Sequence, residues 1–286
     1  MTDLSTDSHS RERIGLIAGQ GRLPILVAHG ARRAGVRVHC VGLAGQYDPA
    51  LRAECTTFSE AGIASLGKWI RVLRRHGVCD SVMVGRVAQA TKYQRFMWLR
   101  YPPDWRAIRL WYGVLRKDRR TATVLSALAA EMERGGIRLM DSRTYISEHL
   151  AHTGAMTQQV PSVNLNTDIA FAWPLFEQVL SLKVGQAMAV MNRDVIAVEA
   201  AEGTDAMIDR AGALTKGRPW ALLKSCSSDH DMRADVPTLG IATIRRLHAA
   251  GCRAAAVGSG RVILLDKADL VREADRLGVA LLGIGA

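Results

Sequence analysis

The chain has only five cysteines in 286 residues, Cys40, Cys55, Cys79, Cys226 and Cys252, and no Cys-x-x-Cys pair. That number and spread exclude a disulfide frame and a cysteine-based zinc site, and point to free thiols in a reducing compartment. There is no apolar run near the ~18 residues a bilayer-spanning helix needs. The polar start, MTDLSTDSHSRERIG, lacks the apolar core of a secretory signal. The chain also has no internal repeat and no low-complexity segment. Acids are in deficit, with 27 Asp and Glu against 38 Lys and Arg, a formal charge of +11. The balance favours an anionic partner: nucleic acid, a phosphorylated small molecule or an acidic membrane surface. With 48% hydrophobic and 23% charged residues, the composition is that of a chain with a real core.

The pattern of the chain is strand, helix, strand. Residues 1–12 read as a disordered tail. Strands are predicted at 13–19, 36–42, 81–85 and 137–140, with helices at 25–34, 66–75 and 121–134. This rhythm means a parallel sheet with crossover helices. Around 153–166 the pattern weakens into a polar stretch with Pro161, which places a domain boundary there. A second α/β unit follows, with helices at 169–182, from 204, at 241–250 and at 268–277. Its strands fall at 186–191, 195–200, 220–224, 254–257, 262–265 and 280–284. The expected domains are 13–155 and 165–286.

The charge is concentrated. Residues 86–120 hold ten basic residues against two acids, and seven of the fifteen aromatics. Arginine mixed with Trp and Tyr suits a membrane interface. It also suits stacking on single-stranded nucleic acid. A pair of amphipathic helices with inward rings explains it equally well.

Three stretches could carry chemistry. In Gly15-x-x-x-Gly19-Gln20-Gly21-x-x-Pro24 a glycine loop joins a strand to a helix, where backbone N–H groups can approach a phosphate. The third glycine of a dinucleotide fingerprint and the lysine of a P-loop are both missing, so a plain tight turn is the competing reading. The second stretch is Glu199-Ala-Ala-Glu202-Gly203-Thr204-Asp205. Here Thr204 could cap a helix with Asp205 in its first turn, or the acids could face a metal or phosphate. The third runs from Lys224 to Gly240 and crowds Asp229, His230, Asp231, Arg233 and Asp235 together. Carboxylates at this density suit a hard cation, and Lys224 and Arg233 suit phosphate oxygens. A solvated polar loop is the alternative.

Together these stretches resemble the LpxI-type UDP-2,3-diacylglucosamine pyrophosphatases of lipid A biosynthesis. The resemblance is carried by GLIAGQGRLP at 15–24, LGK at 66–68 with VMVGRV at 82–87, and AVEAAEGTDAM at 197–207. It continues in DMRADVPTLG at 231–240 and VGSGRVILLD at 257–266. It implies two α/β domains, the first a Rossmann-like parallel sheet, with the active site between them. It implies metal-dependent hydrolysis at the α-phosphorus, giving UMP and 2,3-diacylglucosamine 1-phosphate (lipid X), with Mg²⁺, or alternatively Mn²⁺, as cofactor. The family's key aspartate falls on Asp235, as metal ligand or base. Asp231 is the second expected metal ligand, and Asp231, Arg233 and Lys224 complete the catalytic set. Gly19, Gln20, Gly21, Gly85, Arg86, Glu202, Gly203, Thr204, Asp205 and Thr238 are expected to bind substrate. A two-chain lipid substrate implies a cytoplasmic protein, peripheral on the cytoplasmic face of the inner membrane, with no nucleic-acid partner and with a homodimer as the assembly to consider. A UDP-lipid binding protein without turnover is the rival reading, and a basic nucleic-acid binder a lesser one.

The chain departs from the family pattern at three places. Lys117-Asp118-Arg119-Arg120 stands where Gly-Asp-Asp is usual, Lys183-Val-Gly-Gln where Asp-Ile-Gly-Gln is usual, and Ser225-Cys-Ser-Ser-Asp-His230 replaces a proline-containing segment. The departures leave metal number and exact substrate open.

Overall fold

The computed structural model describes residues 12–87, 102–118, 121–233 and 236–285. The chain divides into two compact units. The first runs to Ser147 and also takes in a short stretch that begins at Asp231; the second holds the rest from Glu148 onward. The expected tail lies outside the described residues except for Glu12.

The first unit is a five-stranded parallel sheet. Its strands are β1 (Arg13–Ala18), β2 (Arg37–Leu43), β3 (Thr57–Ala61), β4 (Asp80–Val84) and β5 (Arg138–Leu139), in the order β3-β2-β1-β4-β5. Its helices are α1 (Leu23–Arg33), α2 (Leu66–Arg75), α3 (Trp105–Leu110) and α4 (Thr121–Arg134). In α2 the residues Leu66, Trp69, Ile70 and Leu73 are buried, at spacings of three and four, so one stripe faces the sheet. That stripe packs with Ile17, Val41, Leu43, Leu110 and Met132 in one apolar cluster. Pro24 opens α1, where its missing N–H costs nothing. Strand β3 is absent from the pattern-based reading because TFSEA has no apolar alternation. It is an edge strand, where polar residues are tolerated and protective.

The strand order reverses between β1 and β4. In open parallel sheets the crevice beyond the carboxyl ends of the strands at such a point is where ligands bind. Gly19 and Gly85 follow those two strands directly.

Helix α3 is short and is anchored from both sides. Asp104 accepts hydrogen bonds from the N–H of Ala107, capping α3, and from the N–H of Gly67 in α2. Glu131 of α4 receives Arg106 at 2.6 Å, Arg109 at 3.0 Å and Arg134 at 2.8 Å. Burial pushes the Glu131 carboxyl up, but the guanidiniums of Arg106, Arg109 and Arg134 outweigh it and hold the pKa below the ordinary value. The Glu131 side chain is 1% exposed, while its partners are 36–54% exposed, so water screens part of the attraction. Glu131→Gln is expected to cost about 1–3 kcal/mol, seen as a lower thermal midpoint. A lowered carboxylate pKa contributes stability above the ordinary carboxyl range and loses it as pH falls through the folded value. The gap between wild type and Glu131→Gln should therefore be full at neutral pH and narrow in acid. A gap that persists unchanged in acid would rule out the charge as its source.

The second unit has a six-stranded mixed sheet, in the order β6-β13-β11-β9-β7-β8. The strands are β6 (Gly154–Ala155), β7 (Ala187–Met191), β8 (Asp194–Val198), β9 (Trp220–Lys224), β11 (Cys252–Gly258) and β13 (Ala280–Ile284). A two-residue parallel pair, β10 (Thr238–Leu239) with β12 (Ile263–Leu264), stands apart. Alternate residues of the central strands point to opposite faces. Trp220, Leu222, Ala255 and Val257 pack with α6 (Thr204–Thr215), α7 (Ile241–Ala249) and α8 (Lys267–Leu277). Ala221, Leu223, Ala254 and Ala256 pack under α5 (Val163–Ser181). Helix α5 starts six residues before the expected position. Ser162 accepts a bond from the N–H of Leu165, so Asn164 and Asn166, within the stretch read as a polar boundary, sit in its first turn. None of the five cysteines forms a disulfide.

Candidate functional site

In the first unit the glycine loops after β1 and β4 are pressed together. The N–H of Gly19 donates to the Val84 carbonyl at 2.9 Å, and Gln20 and Arg86 exchange both backbone bonds at 2.8 and 2.9 Å. A Cβ on Gly19 would lie 2.7 Å from the Arg86 carbonyl oxygen, and one on Gly85 would lie 2.6 Å from the Gly19 carbonyl carbon. Gly85 and Gly21 also have φ near +100°, where side chains are strained. These glycines thus serve loop-to-loop packing. The Gly19 amide is spent on Val84 and those of Gln20 and Arg86 on each other, so these three are not offered to a phosphate, which departs from the phosphate-cradle expectation.

The loops instead border an apolar cavity of about 480 Å³. Its walls include Gly19 and Gly85 from the loops, Ile17 and Val84 from the strands, Leu66 and Trp69 from α2, Ile108 from α3 and Leu125 and Leu128 from α4. Trp111, Tyr112 and Leu115, in a π-helical turn after α3, line it as well. Trp105 is 74% exposed and Tyr112 is 64% exposed. Large rings left in water beside an apolar cavity are unusual for a free surface and mark a place for an apolar guest. In the described part of the basic aromatic stretch, Trp105 and Tyr112 are not turned inward, as the helix-pair reading would have them. Residues 88–101 and 119–120 lie outside the described residues.

The first unit also brings together two turns of the same chemistry. In turn 231–233, Asp231 accepts the N–H of Arg233 at 3.1 Å and its guanidinium at 2.8 and 2.6 Å. In turn 141–143, Asp141 accepts the N–H of Arg143 at 2.8 Å and its guanidinium at 3.0 and 2.6 Å. Between them Ser142 donates its N–H to the Met232 carbonyl at 3.0 Å. Burial raises the Asp141 carboxyl and the charge of Asp231 adds to that, but Arg143 outweighs both and keeps it low. The hydrogen bonds that its guanidinium donates to the Asp231 carboxylate raise the pKa of Arg233. The 141–143 turn was invisible beforehand, because Asp-x-Arg is too short a pattern to single out. Asp235, the expected key residue, lies outside the described residues. Among the described residues no three His, Cys, Asp or Glu side chains gather to hold a metal ion. Each of the two aspartates already faces its own guanidinium. The described residues therefore do not by themselves build the Mg²⁺ or Mn²⁺ site that the resemblance implies.

In the second unit Lys224 ends the central strand β9 and is 4% exposed. Its methylenes run through the core and its Nζ donates to Thr204 Oγ1 at 2.8 Å. The Thr204 hydroxyl donates onward to Glu199 Oε1 at 2.9 Å, and Glu199 Oε2 accepts the N–H of Gln186. Thr204 does not cap α6, as one sequence reading had it. Gly203, at φ +85°, holds the cap position, and the Thr204 side chain faces Glu199 and Lys224 instead. Asp205 does sit in the first turn and is exposed. Glu202 closes the preceding turn. It accepts the Ala200 N–H and pairs with Arg210. Its own backbone N–H, together with Arg210, lowers its pKa. Thr238 opens β10, paired with Ile263.

Two of the departures meet here. Lys183 Nζ lies 2.9 Å from Asp229 Oδ2. The Ser227 hydroxyl and Lys183 lower the Asp229 carboxyl to about 2. Both partners are more than half exposed, so the pair adds little stability.

Two family models match the chain: the LpxI N-terminal domain over residues 13–149 and the LpxI C-terminal domain over 152–282. The junction between the matches falls close to the division between the two units. A curated relative is the UDP-2,3-diacylglucosamine pyrophosphatase LpxI of Caulobacter vibrioides. It is 29% identical over 280 residues, which span 95% of this chain and 97% of the relative.

Proposed function

We propose that this chain, which belongs to the LpxI family, hydrolyses the diphosphate of UDP-2,3-diacylglucosamine or a closely related glycolipid nucleotide. Water adds to the α-phosphorus, the bond to the bridging oxygen breaks, and UMP and the diacylglucosamine 1-phosphate leave. The observation that carries the lipid part of the reading is the apolar cavity beside the switch point of the first sheet. Its volume lies within the range of about 300–1,000 Å³ that ligand pockets occupy. Each methylene it shelters is worth about 0.8 kcal/mol, so ten methylenes offer roughly 8 kcal/mol before ordering costs. A polar nucleotide gains nothing from such walls.

Charge for the diphosphate comes from the chain's own cations. Lys224, buried and aimed at Thr204, is the compact positive charge that favours a developing phosphate oxyanion. Asp235 orients and deprotonates the attacking water. Mg²⁺, when bound, supplies further charge neutralisation at the diphosphate. Trp105 and Tyr112 sit at headgroup depth while an acyl chain passes into the cavity, on the cytoplasmic face of the inner membrane. No described helix is long and apolar enough to cross a membrane.

The direct test is UMP release from UDP-2,3-diacylglucosamine, with and without Mg²⁺. Binding without release would favour the turnover-free reading. Neither binding nor release would end the proposal. The cavity has its own test in Leu125→Trp, which puts an indole into open space lined by apolar atoms. We expect kcat/KM to fall about 10-fold or more with long acyl chains and to stay within about twofold with acetyl groups, since fewer methylenes are then lost from the pocket. Equal loss on both substrates would show that the acyl chains lie elsewhere.

A further inference from the structure

We propose that Ser142 is a positioning residue for the reaction, holding the loop that carries Asp235 against the first sheet. The inference rests on the reading of Asp235 given above.

Ser142 is 1% exposed. A buried hydroxyl is costly unless it is bonded. Its oxygen lies 2.9 Å from the Arg233 carbonyl and 3.3 Å from the Met83 carbonyl of β4. A serine hydroxyl has one hydrogen, and the shorter contact takes most of it. The side chain therefore ties Arg233 while resting on the end of β4, two residues before Gly85. The Ser142 N–H holds Met232 in the same way. Two consecutive carbonyls of the loop are thus fixed by one residue 91 positions earlier in the chain.

The turns on either side make this tie rigid. Turns 141–143 and 231–233 are each closed by their own aspartate and arginine. Neither aspartate needs the other turn to keep its shape. Among the described residues, Ser142 ties one turn to the other through its N–H and its hydroxyl. The covalent chain puts Asp235 two residues beyond the carbonyl it holds, so the backbone leading to that carboxylate starts from a fixed point. A catalytic carboxylate displaced by about 1 Å can cost 10²-fold in rate. That makes this buried hydroxyl a lever on kcat and not on substrate affinity.

The experiment compares wild type, Ser142→Ala and Ser142→Thr in steady-state UMP release, with melting temperature and trypsin cutting after Arg233 measured alongside. Ser142→Ala should lose about 10- to 100-fold in kcat with KM within about twofold. It should also be cut after Arg233 several times faster than wild type. Ser142→Thr, which keeps the hydroxyl, should recover most of both. A kcat within twofold of wild type in Ser142→Ala overturns the proposal, as does a loss confined to KM. Should Ser142→Ala lose its melting transition, Ser142→Cys, a weaker donor of similar size, carries the same expectations. If wild type itself releases no UMP, the failure belongs to the proposed activity, and equal trypsin cutting in wild type and Ser142→Ala then overturns the tether.

Discussion

Asp235→Ala is expected to lower UMP release from UDP-2,3-diacylglucosamine by about 10³-fold or more in the presence of Mg²⁺, with substrate binding retained. The size follows from the chemistry. Water is a poor nucleophile at neutral pH, and a positioned carboxylate that takes its proton contributes about 10²–10⁴-fold. Asp235→Asn keeps the volume and loses the charge, so it should fail nearly as badly. That pair of variants separates a role in chemistry from a role in packing, because a packing role would tolerate asparagine. Single-turnover release, with binding followed by equilibrium filtration of the labelled lipid nucleotide, makes the measurement. An Asp235→Asn enzyme within tenfold of wild type would remove Asp235 from the reaction.

Lys224→Met should lower kcat/KM by about 10²–10³-fold, the loss seen when one preorganised donor to a developing oxyanion is removed. Methionine fills the same channel through the core and carries no charge, so the fold should persist. The Thr204 hydroxyl keeps Glu199 as its acceptor. Glu199, however, loses the neighbouring ammonium, and a diphosphate would then meet a net negative neighbourhood. Lys224→Arg is not expected to rescue, because a planar guanidinium does not fit where a compact ammonium is buried. Unchanged kcat/KM in Lys224→Met, with a lowered melting temperature, would assign the lysine to structure alone.

Much of the scaffold was readable from residue pattern. Helix α2 falls on Leu66–Arg75 as expected, because its apolar residues recur at helical spacing, with Lys68 and Arg71 off the buried stripe. Strand β9 is where WALLK places it. The misses have physical causes. Strands β6 and β10 are two residues long, too short to show any periodicity. The start of α5 hides behind Asn164 and Asn166, which favour turns until Ser162 caps the helix ahead of them. For the site, Lys224 and Thr204 were both singled out and do meet. The glycine loop was singled out as well, but only the three-dimensional packing of Gly19 on Gly85 reveals that its amides are already engaged. The cavity had no sequence signal of its own. Its walls come from three strands, three helices and a π-helical turn, and their residues look like ordinary core.

The stretch beginning at Asp231 belongs to the first unit although it is encoded deep within the second. On the ribosome this imposes an order of events. The residues that build β1 to β5 emerge first, and Ser142 emerges with them, yet the carbonyls of Met232 and Arg233 that it bonds come 90 and 91 residues later. At about 5–20 residues per second that is a delay of roughly 5–20 s. During this interval the Ser142 hydroxyl and amide of the nascent first unit have no loop to bond. Folding of the amino-terminal half is completed only once most of the carboxy-terminal half has been made. A chain that stalls or is cut before residue 233 therefore lacks a piece of the unit it has already synthesised.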